Sequence, residues 1–234
     1  MITNDDGIGS DGLRRLAEAA LEFGEVYVVA PEEQCSAQSH SITLRHSITV
    51  HPVDFPVKGV HAFSCSGTPG DCVRIGSLNI MKEKPDLLLS GINFGYNLAS
   101  DIQYSATVGA AFEAEFQGFN AIAFSEDASD MHEVTDAYLV PVLRELINEK
   151  YVPGEVLNVN FPGCPLKELK GIKRDMPVSR LPFYTDQYLE EERLPDGGVR
   201  YMVKGVHTPF DEVDTDYAAI LDNYISIGRV RNIS

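Results

Sequence analysis

Short apolar runs alternate with amphipathic segments along residues 1–161, and this alternation limits the fold more than any other feature of the chain. Residues 25–31 form a run rich in β-branched side chains that ends in proline, which is typical of a buried parallel strand. Apolar side chains over residues 13–21 recur at the spacing of one helical face, with Ser10 or Asp11 as the predicted N-cap. Repetition of this unit predicts an α/β fold with a doubly wound, mostly parallel sheet.

The same reasoning predicts the remaining strands and helices of this sheet. Strands are expected at 60–65, 85–91, 121–125 and 155–161, and helices at 73–80, 105–118 and 134–150. Alternating apolar residues over 42–50 predict a further, half-exposed strand or a hairpin. The first strand is expected to be short, because only three residues precede the polar loop that begins at Asn4.

The C-terminal part of the chain has a different character. Two extended segments flank the dipeptide Asp196-Gly197, a strong hairpin turn signal, and a short helix is predicted over residues 214–223. A long hairpin has little core of its own and is often stabilised by a partner subunit. We therefore predict a core over residues 1–165 and, within the same functional unit, an extension over 166–234 whose hairpin arm and terminal helix serve oligomerisation.

Charge and cysteine content narrow the classes of function. The 234 residues include 35 acidic and 19 basic side chains, a formal net charge of −16 at pH 7, so the surface repels nucleic-acid polymers and anionic membranes. Four cysteines are scattered without a Cys-x-x-Cys pair, which favours free thiols in a reducing compartment. Neither a signal-peptide pattern nor an apolar run of membrane-spanning length is found. We therefore expect a cytoplasmic protein with no nucleic-acid polymer or membrane as partner.

Two adjacent carboxylates, Asp5 and Asp6, follow the first strand and precede the first helix. Ligands of open α/β sheets bind outside the carboxyl ends of the strands, where this loop is expected to lie. Adjacent carboxylates repel each other unless a positive charge lies between them, and a hard divalent cation is the simplest candidate. Gly7 can adopt a positive φ, which would let both side chains turn toward one point. The alternative is that one aspartate caps the helix and the other is solvated.

Two more polar loops follow strands of the predicted sheet. One contains Ser36, and the other contains Asn93 and Asn97. If the strand order brings the three loops together, two carboxylates, a hydroxyl and an amide carbonyl form an all-oxygen shell for one Mg²⁺ or Mn²⁺ ion, with room for a substrate phosphate. Each residue also has an ordinary explanation, because serine caps loops and asparagine forms Asx-turns.

A helix N-terminus and one histidine complete the candidate groups. Ser105 and Thr107 begin a predicted helix, where free backbone N–H groups attract anions and the hydroxyls add donors. Either residue would also serve as a plain N-cap. His40, in the loop after the second strand, is a candidate general acid that would protonate a leaving alkoxide. The alternative is a histidine that is structural or simply exposed.

Several short motifs follow one another along nearly the whole chain. They are Thr3-Asn4-Asp5-Asp6-Gly7-Ile8, Val28-Val29-Ala30-Pro31, Cys35-Ser36-Ala37 with His40-Ser41-Ile42-Thr43, Ser66-Gly67-Thr68-Pro69 with Asp71-Cys72-Val73, Ser90-Gly91-Ile92-Asn93 with Gly95 and Asn97, and Tyr104-Ser105 with Thr107-Val108. In this order they resemble the motifs of the SurE (survival protein E) nucleotidases. The family's C-terminal signature is similar to Asp214-Thr215-Asp216 with Tyr224-Ile225-Ser226. A single Asn-Asp-Asp-Gly motif is weak evidence for this family, whereas six matches in the same order are specific to it.

The resemblance implies a Rossmann-like core and a divalent-metal-dependent phosphatase that acts on nucleoside 5′-monophosphates. It also implies a homodimer or homotetramer that exchanges C-terminal arms, with one cation per subunit. The implied metal ligands, of which the two aspartates are also catalytic, are Asp5, Asp6, Ser36 and Asn93. The predicted substrate or phosphate contacts are Gly7, Ser39, Asn93, Asn97, Ser105 and Thr107. Family members also accept 3′-monophosphates and sometimes short polyphosphate.

The chain departs from the family pattern at four positions near the predicted site. The family has glycine where Ala106 stands and, before the histidine, where Ser39 stands. Basic residues are common in the family at the positions of Cys35 and Phe94. Loss of these charges predicts weaker phosphate binding or a different substrate preference. All four predicted ligands are retained, so we expect an active enzyme.

Two other classes of function share some of these features. A phosphorylatable receiver also carries paired acids around Mg²⁺, but it needs an aspartate at the end of a middle strand, where this chain has Ser90. A nucleotide- or phosphate-binding sensor without turnover would share every feature, and only an assay separates it from an enzyme. For the enzyme, direct attack by water and initial attack by Asp5 both remain open.

Overall fold

Nine strands form one sheet in the computed structural model, which describes residues 1–207 and 213–231. In spatial order the strands are β3 (Val50–Pro52), β4 (Val60–Cys65), β2 (Val26–Pro31), β1 (Ile2–Thr3), β5 (Leu87–Phe94), β6 (Asn120–Glu126), β7 (Glu155–Phe161), β11 (Tyr224–Arg231) and β8 (Gly171–Lys173). The six strands from β4 to β7 in this order run parallel. The edge strand β3 and the strand β11 are antiparallel to their inner neighbours. The predicted doubly wound, mostly parallel sheet is therefore confirmed.

Four helices cover the two faces of this sheet. One face carries α1 (Asp11–Ala20) and α4 (Glu133–Leu146), and the other carries α2 (Pro69–Ile75) and α3 (Ala106–Phe116). Each pair closes over its own hydrophobic cluster, because successive strand side chains point to opposite faces. In the part of the chain that the structure describes, no helix is both long and apolar enough to cross a membrane.

The helices begin where the sequence provides a cap. Ser10 caps α1 as predicted, since its hydroxyl accepts a hydrogen bond from the N–H of Leu13 (3.4 Å). Helix α2 begins four residues earlier than predicted, because Thr68 and Asp71 form a capping box and Pro69 occupies the first helical position. A π-helical segment continues α2, so the predicted helix there is confirmed with a different start.

Strand β1 lies between β2 and β5, at the point where the winding of the sheet reverses. Ile2 pairs with Val28 of β2 on one side and with Leu89 of β5 on the other. The chain builds β2 and β4 outward in one direction and later builds β5, β6 and β7 in the other. Open α/β sheets bind ligands outside the carboxyl ends of the strands at such a switch point. The loops after β1, β2 and β5 are therefore the part of this fold best placed to hold a ligand.

A cavity of about 790 Å³ lies at the opposite, amino edge of the sheet. Residues at the amino ends of neighbouring strands line the cavity, including Val26 of β2 and Leu87 of β5. The amino group of Met1 donates a hydrogen bond to the carbonyl oxygen of Leu87 (3.0 Å), and burial lowers the pKa of this amino group to about 6. Among the described residues that line the cavity there is no predicted site residue.

The strand or hairpin predicted over residues 42–50 is wrong for most of its length. Residues 41–49 form an irregular loop, and only Val50 belongs to a strand. Contacts to the start of α2 hold this loop instead, including a hydrogen bond from the N–H of Thr43 to Asp71 (3.0 Å). Leu44 is 82% exposed, so the alternation of apolar residues here does not mark a buried face.

The C-terminal extension partly joins the core sheet and partly projects from it. Its strands β8 and β11 lie at the edge of the nine-stranded sheet, beyond β7. The predicted hairpin arm is confirmed, since β9 (Tyr184–Arg193) and β10 (Val199–His207) pair antiparallel as a separate two-stranded sheet. The boundary at residue 165 stays a prediction. Residues 208–212 and 232–234 of the extension lie outside the described residues.

The predicted terminal helix, α5 (Asp216–Leu221), ties the extension to the loop after β5. The buried carboxylate of Asp216 accepts hydrogen bonds from the N–H groups of Ala99 (3.0 Å) and Ser179 (2.8 Å). Tyr217 is buried in a small cluster with Leu98 of the same loop. The C-terminal motif therefore supports the loop after β5, which carries the predicted site residue Asn97.

Gly12 in α1 packs against β5 without room for a side chain. A Cβ atom at Gly12 would lie 2.1 Å from the carbonyl oxygen of Ile92, whereas a Cβ atom at Gly9 would meet nothing within 4 Å. We expect Gly12→Ala to lower the free energy of unfolding by about 2 kcal/mol, because α1 must move away from β5. The control Gly9→Ala is expected to change it by less than about 0.5 kcal/mol. Urea denaturation measures both, and equal stabilities of the two variants would contradict this packing.

Candidate active site

Asp5 and Asp6 lie directly after β1, at the carboxyl edge of the sheet, and bond to different elements. Oδ1 of Asp5, a residue that is 3% exposed, accepts a hydrogen bond from the hydroxyl of Thr107 in α3 (2.5 Å). Oδ2 of Asp6 accepts a hydrogen bond from the backbone N–H of Phe94 at the end of β5 (3.0 Å). Gly7 follows with a φ of +95°, the left-handed backbone expected there. Within residues 1–207 and 213–231, no Lys, Arg or His side chain is paired with either carboxylate.

Burial raises the pKa of both carboxyl groups. For Asp5 the pKa rises from 3.8 to about 6, chiefly through burial, while the hydroxyl of Thr107 opposes the rise and the charge of Asp6 adds to it. Burial also raises the pKa of Asp6, against the N–H of Phe94, which lowers it. Two negative charges are therefore disfavoured here in the absence of a counterion, and a bound cation would lower both pKa values.

The loop after β2 is joined to the backbone of the loop that carries the two aspartates. The N–H of Cys35 donates a hydrogen bond to the carbonyl oxygen of Asp5 (2.7 Å). Ser36 comes next and is exposed, and its hydroxyl accepts a hydrogen bond from the side-chain amide of Gln34 (2.9 Å). The loop that carries the predicted serine ligand is thus joined directly to the loop that carries the two aspartates.

The loop after β5 reaches the site from the other side of β1. The pairing of β5 with β6 shifts register between Ser90 and Asn93, an irregularity of the kind that redirects side chains near active sites. The side-chain amide of Asn93 donates a hydrogen bond to the carbonyl oxygen of Gly95 (2.7 Å), so its Oδ1 is the oxygen left for a ligand. Asn93 directly precedes Phe94, whose N–H donates a hydrogen bond to Asp6, so Asn93 lies close to the carboxylate pair.

Asn97, a predicted phosphate contact, is buried in a polar network at the same edge. Its side-chain amide donates to the hydroxyl of Ser125 (2.7 Å), and its backbone N–H donates to Oδ1 of Asn160 (2.9 Å). Its carbonyl oxygen accepts hydrogen bonds from the side-chain amides of Asn158 (2.9 Å) and Asn160 (3.1 Å). These bonds fix the start of the loop that follows β5, four residues after Asn93. The contact of Asn97 with phosphate stays a prediction.

The N-terminus of α3 lies against the carboxylates. Ser105 is its N-cap, since the hydroxyl accepts a hydrogen bond from the N–H of Val108 (3.0 Å), and Thr107 bonds to Asp5. Gly109 allows the loop after β2 to cross the helix, because a Cβ atom there would lie 2.6 Å from the carbonyl oxygen of Ser39. The first turn of a helix has unpaired N–H groups that can hold an anion. The phosphate contacts predicted for Ser39, Ser105 and Thr107 stay predictions.

His40 contacts the side of α3. Its Nε2 lies 2.8 Å from Oε2 of Glu113, and its ring packs beside Phe116 with the centroids 5.3 Å apart. Glu113 is 3% exposed, and its other oxygen accepts hydrogen bonds from Gln117 (2.8 Å) and Arg74 (3.3 Å). Glu113 was not predicted as a site residue, because an acid within an apolar helix face gives no signal until its histidine partner is located. The general-acid role of His40 stays a prediction.

A third carboxylate, Glu126 at the carboxyl end of β6, lies beside the site and was also missed. It pairs across the sheet with Phe94, is 2% exposed and forms a salt bridge with Arg15 of α1. Nδ1 of His132 lies 3.1 Å from its Oε2, within ion-pair distance but not aligned for a hydrogen bond. Its charge raises the pKa of Asp6. The sequence signal that could have identified Glu126 is a glutamate directly after a predicted buried strand.

The groups at this edge suit a hard divalent cation. No group of three or more His, Cys, Asp and Glu side chains in the described parts of the chain is placed to hold a metal ion. A cation here would therefore rely on two carboxylates and neutral oxygens, and Mg²⁺ commonly binds through one or two carboxylates and retains several waters. A buried aspartate beside a half-buried one, neither with a basic partner among the described residues, is the observation that fits this ion. These features define a doubly wound α/β protein with an oxygen-donor site at its topological switch point.

Comparison with known proteins identifies the family. The sequence model described as Survival protein SurE matches residues 1–181, and the chain belongs to the SurE family. The chain is 38% identical over 231 residues to 5′-nucleotidase SurE of Flavobacterium johnsoniae, covering 97% of this chain and 88% of that protein. It is 38% identical over 228 residues to 5′/3′-nucleotidase SurE of Citrobacter koseri, covering 97% and 87%. The crystal structure of the SurE protein from Aquifex aeolicus matches with a TM-score of 0.83 at 34% identity, over 100% of this chain and 93% of that chain.

Asp5 makes the stability of the cation-free protein depend on pH. Its folded-state pKa of about 6 lies above the ordinary value of 3.8, so between these pH values the folded protein binds more protons and stability falls as pH rises. We expect Asp5 to contribute a fall of about 3 kcal/mol in the free energy of unfolding in EDTA over this window, seen as the difference from Asp5→Asn. Asp5→Asn removes the titrating group and is expected to flatten the slope. Urea denaturation at a series of pH values measures both, and equal slopes would contradict the raised pKa.

Proposed function

We propose that this protein is a divalent-cation-dependent phosphomonoesterase that hydrolyses nucleoside 5′-monophosphates to nucleoside and phosphate. The observation that carries the proposal is the hydrogen bond from Thr107 to Asp5, which joins the N-terminus of α3 to the carboxylate pair. A cation site and an anion-binding helix N-terminus thereby lie side by side, as hydrolysis of a phosphate ester requires. The proposed ligands of one Mg²⁺ or Mn²⁺ ion per subunit are Asp5, Asp6, Ser36 and Asn93.

The relatives support the enzyme class and the substrate class. The Flavobacterium protein is named a 5′-nucleotidase and the Citrobacter protein a 5′/3′-nucleotidase, and each aligns with this chain over nearly its whole length. We extend the proposal to nucleoside 3′-monophosphates and short polyphosphate as further substrates. We also propose a cytoplasmic location, because all four cysteines are free thiols.

Each residue at the site has a task in the proposed reaction. Asp5 and Asp6 would hold the ion, which when bound polarises a phosphoryl oxygen and lowers the pKa of a bound water. The N–H groups of the first turn of α3 would hold the remaining phosphate oxygens as charge develops on them. Thr107 keeps Asp5 oriented through its hydroxyl, and Ser105 fixes the turn as its N-cap. This arrangement fits attack by water and also initial attack by Asp5.

The rim of the site suits a substrate that carries an aromatic base better than it suits a polyanion. Phe94 is 55% exposed directly after Asn93, and Tyr104 is 65% exposed at the approach to α3. Exposed aromatic faces stack on nucleobases. The basic side chain of Arg15, which lies near the site, already forms a salt bridge with Glu126. We therefore propose that nucleoside monophosphates are better substrates than polyphosphate.

Asp6→Asn removes one ligand charge without changing the volume of the side chain. We expect the variant to fold, because the raised pKa of Asp6 shows that the uncharged form is tolerated at this position. Release of phosphate from AMP or GMP with Mn²⁺ or Mg²⁺ is expected to fall at least about 100-fold. The matched control is Asp54→Asn, an exposed aspartate remote from the site, which is expected to retain full activity.

A phosphate-release assay with and without EDTA measures both variants. Unchanged turnover of Asp6→Asn would refute its role as a ligand. A wild-type protein that binds AMP but releases no phosphate would instead be the binding-only sensor.

We further propose that the protein is a homodimer or homotetramer assembled through the hairpin arm. Every residue of β9 is exposed, and so is all but the first residue of β10. The exposed side chains include the large apolar residues Tyr188, Leu189, Tyr201, Met202 and Val203. An isolated two-stranded hairpin is at best marginally stable in water, so a second subunit would cover this surface.

Replacing residues 186–205 with Asn-Gly removes the arm but keeps Tyr184 and His207, which pair at its base. We expect the mass in solution to fall while the melting temperature of the core changes by no more than about 3 °C, because the arm has no buried residues. The double variant Tyr188→Lys/Met202→Lys keeps the hairpin but charges its apolar surface, and it is expected to dissociate as well. Light scattering after gel filtration measures the mass, and native mass in both variants would contradict assembly through the arm.

A further inference from the structure

Glu113 on α3 has no role in the proposed reaction, yet three side chains converge on its buried carboxylate. Nε2 of His40 lies 2.8 Å from Oε2, and Gln117 and Arg74 donate hydrogen bonds to Oε1 at 2.8 and 3.3 Å. Burial alone would raise the pKa of Glu113, but the hydrogen bonds from His40 and Gln117 outweigh it and lower the pKa. A buried carboxylate is costly unless its hydrogen bonds are made, so this cluster holds His40 in one place.

His40 ends the segment of chain that carries Ser36, which we define as segment 35–40. At one end, the N–H of Cys35 donates a hydrogen bond to the carbonyl oxygen of Asp5 (2.7 Å). At the other end, the N–H and hydroxyl of Ser39 both donate to backbone carbonyls just before α3, at 3.0 and 2.8 Å. Ser36 lies between these two anchors and is exposed. Its position therefore depends on how firmly each end is held.

Gly109 lets segment 35–40 lie directly on α3. A Cβ atom at Gly109 would lie 2.6 Å from the carbonyl oxygen of Ser39 and 2.9 Å from both the N and Cα atoms of His40. The backbone of His40 thus rests on the helix, and its side chain runs along the helix to Glu113. Glu113 lies about 10 Å along the axis from Ala106, the first residue of α3. The ring of His40 is therefore directed away from the helix N-terminus, where the phosphate would bind.

We propose that Glu113 is a positioning residue that acts through His40: the pair anchors segment 35–40 on α3 and thereby places the hydroxyl of Ser36 for cation binding. This inference rests on the proposed function, in which Ser36 is a ligand. Glu113 itself touches neither the cation nor the substrate in this arrangement. Side chains that support a metal ligand from behind typically change metal affinity 10- to 100-fold when removed.

The test measures the affinity for Mn²⁺ alone, from the electron paramagnetic resonance signal of the free ion, so that it does not depend on turnover. Glu113→Ala and His40→Ala are each expected to weaken Mn²⁺ binding about tenfold. Glu113→Gln keeps a hydrogen-bonding partner for His40 and is expected to restore binding to within about twofold of the unmutated protein. At saturating Mn²⁺ the kcat of Glu113→Ala is expected to return to the original value, because Glu113 takes no part in the chemical step.

A matched control and a double variant separate positioning from a general loss of stability. Gln117→Ala removes a hydrogen bond to the same carboxylate without touching segment 35–40, so its Mn²⁺ affinity is expected to stay unchanged. The double variant Glu113→Ala/His40→Ala is expected to bind Mn²⁺ no more weakly than either single variant, because the two residues act in series. His40 lies in a loop, so His40→Ala tests the proposal even where Glu113→Ala folds poorly.

The outcomes that contradict the inference differ from those that contradict the proposed function. Unchanged Mn²⁺ affinity in His40→Ala overturns the inference, as does an equal loss in Gln117→Ala. Additive losses in the double variant overturn it as well, since Glu113 would then act without His40. If the unmutated protein neither binds Mn²⁺ nor releases phosphate from AMP, the proposed function fails and the inference falls with it.

Discussion

The structure depends above all on two neighbouring carboxylates, one buried and one half-buried, that lie where the winding of the sheet reverses. Asp5 turns toward α3 and Asp6 toward the end of β5, so each carboxylate receives a hydrogen bond from a different element. These bonds orient the pair but leave its charge uncompensated by any described basic side chain, which is why both pKa values are raised. The elements around the pair contact it from different sides of β1.

Backbone atoms make several of the contacts that join these loops. The backbone carbonyl of Asp5 accepts a hydrogen bond from the N–H of Cys35, and the carboxylate of Asp6 accepts one from the N–H of Phe94. Every residue but proline supplies such an N–H group, so these two contacts do not depend on the side chains at positions 35 and 94. We therefore expect the departures from the family resemblance at these two positions to bear on substrate preference rather than on the framework of the site.

Much of the fold followed from local patterns in the sequence, and the failures have physical causes. The buried run that became β2 and the capped helix α1 were predictable, because burial and capping act on neighbouring residues. The loop at 41–49 was not, since its backbone is held by Thr68 and Asp71, which are distant in sequence. The position of each polar loop directly after a strand was enough to predict that the candidate metal ligands lie at one edge of the sheet. The contact of His40 with Glu113 depends on how a loop crosses α3, which no local pattern encodes.

The sheet divides at β1 into two halves. On one side of β1 lie β2, β4 and β3, and on the other lie the strands from β5 to β8. Ser36 follows a strand of one half and Asn93 belongs to a strand of the other, with the aspartates between them. A cation held by all four proposed ligands would therefore join the two halves of the sheet at its centre.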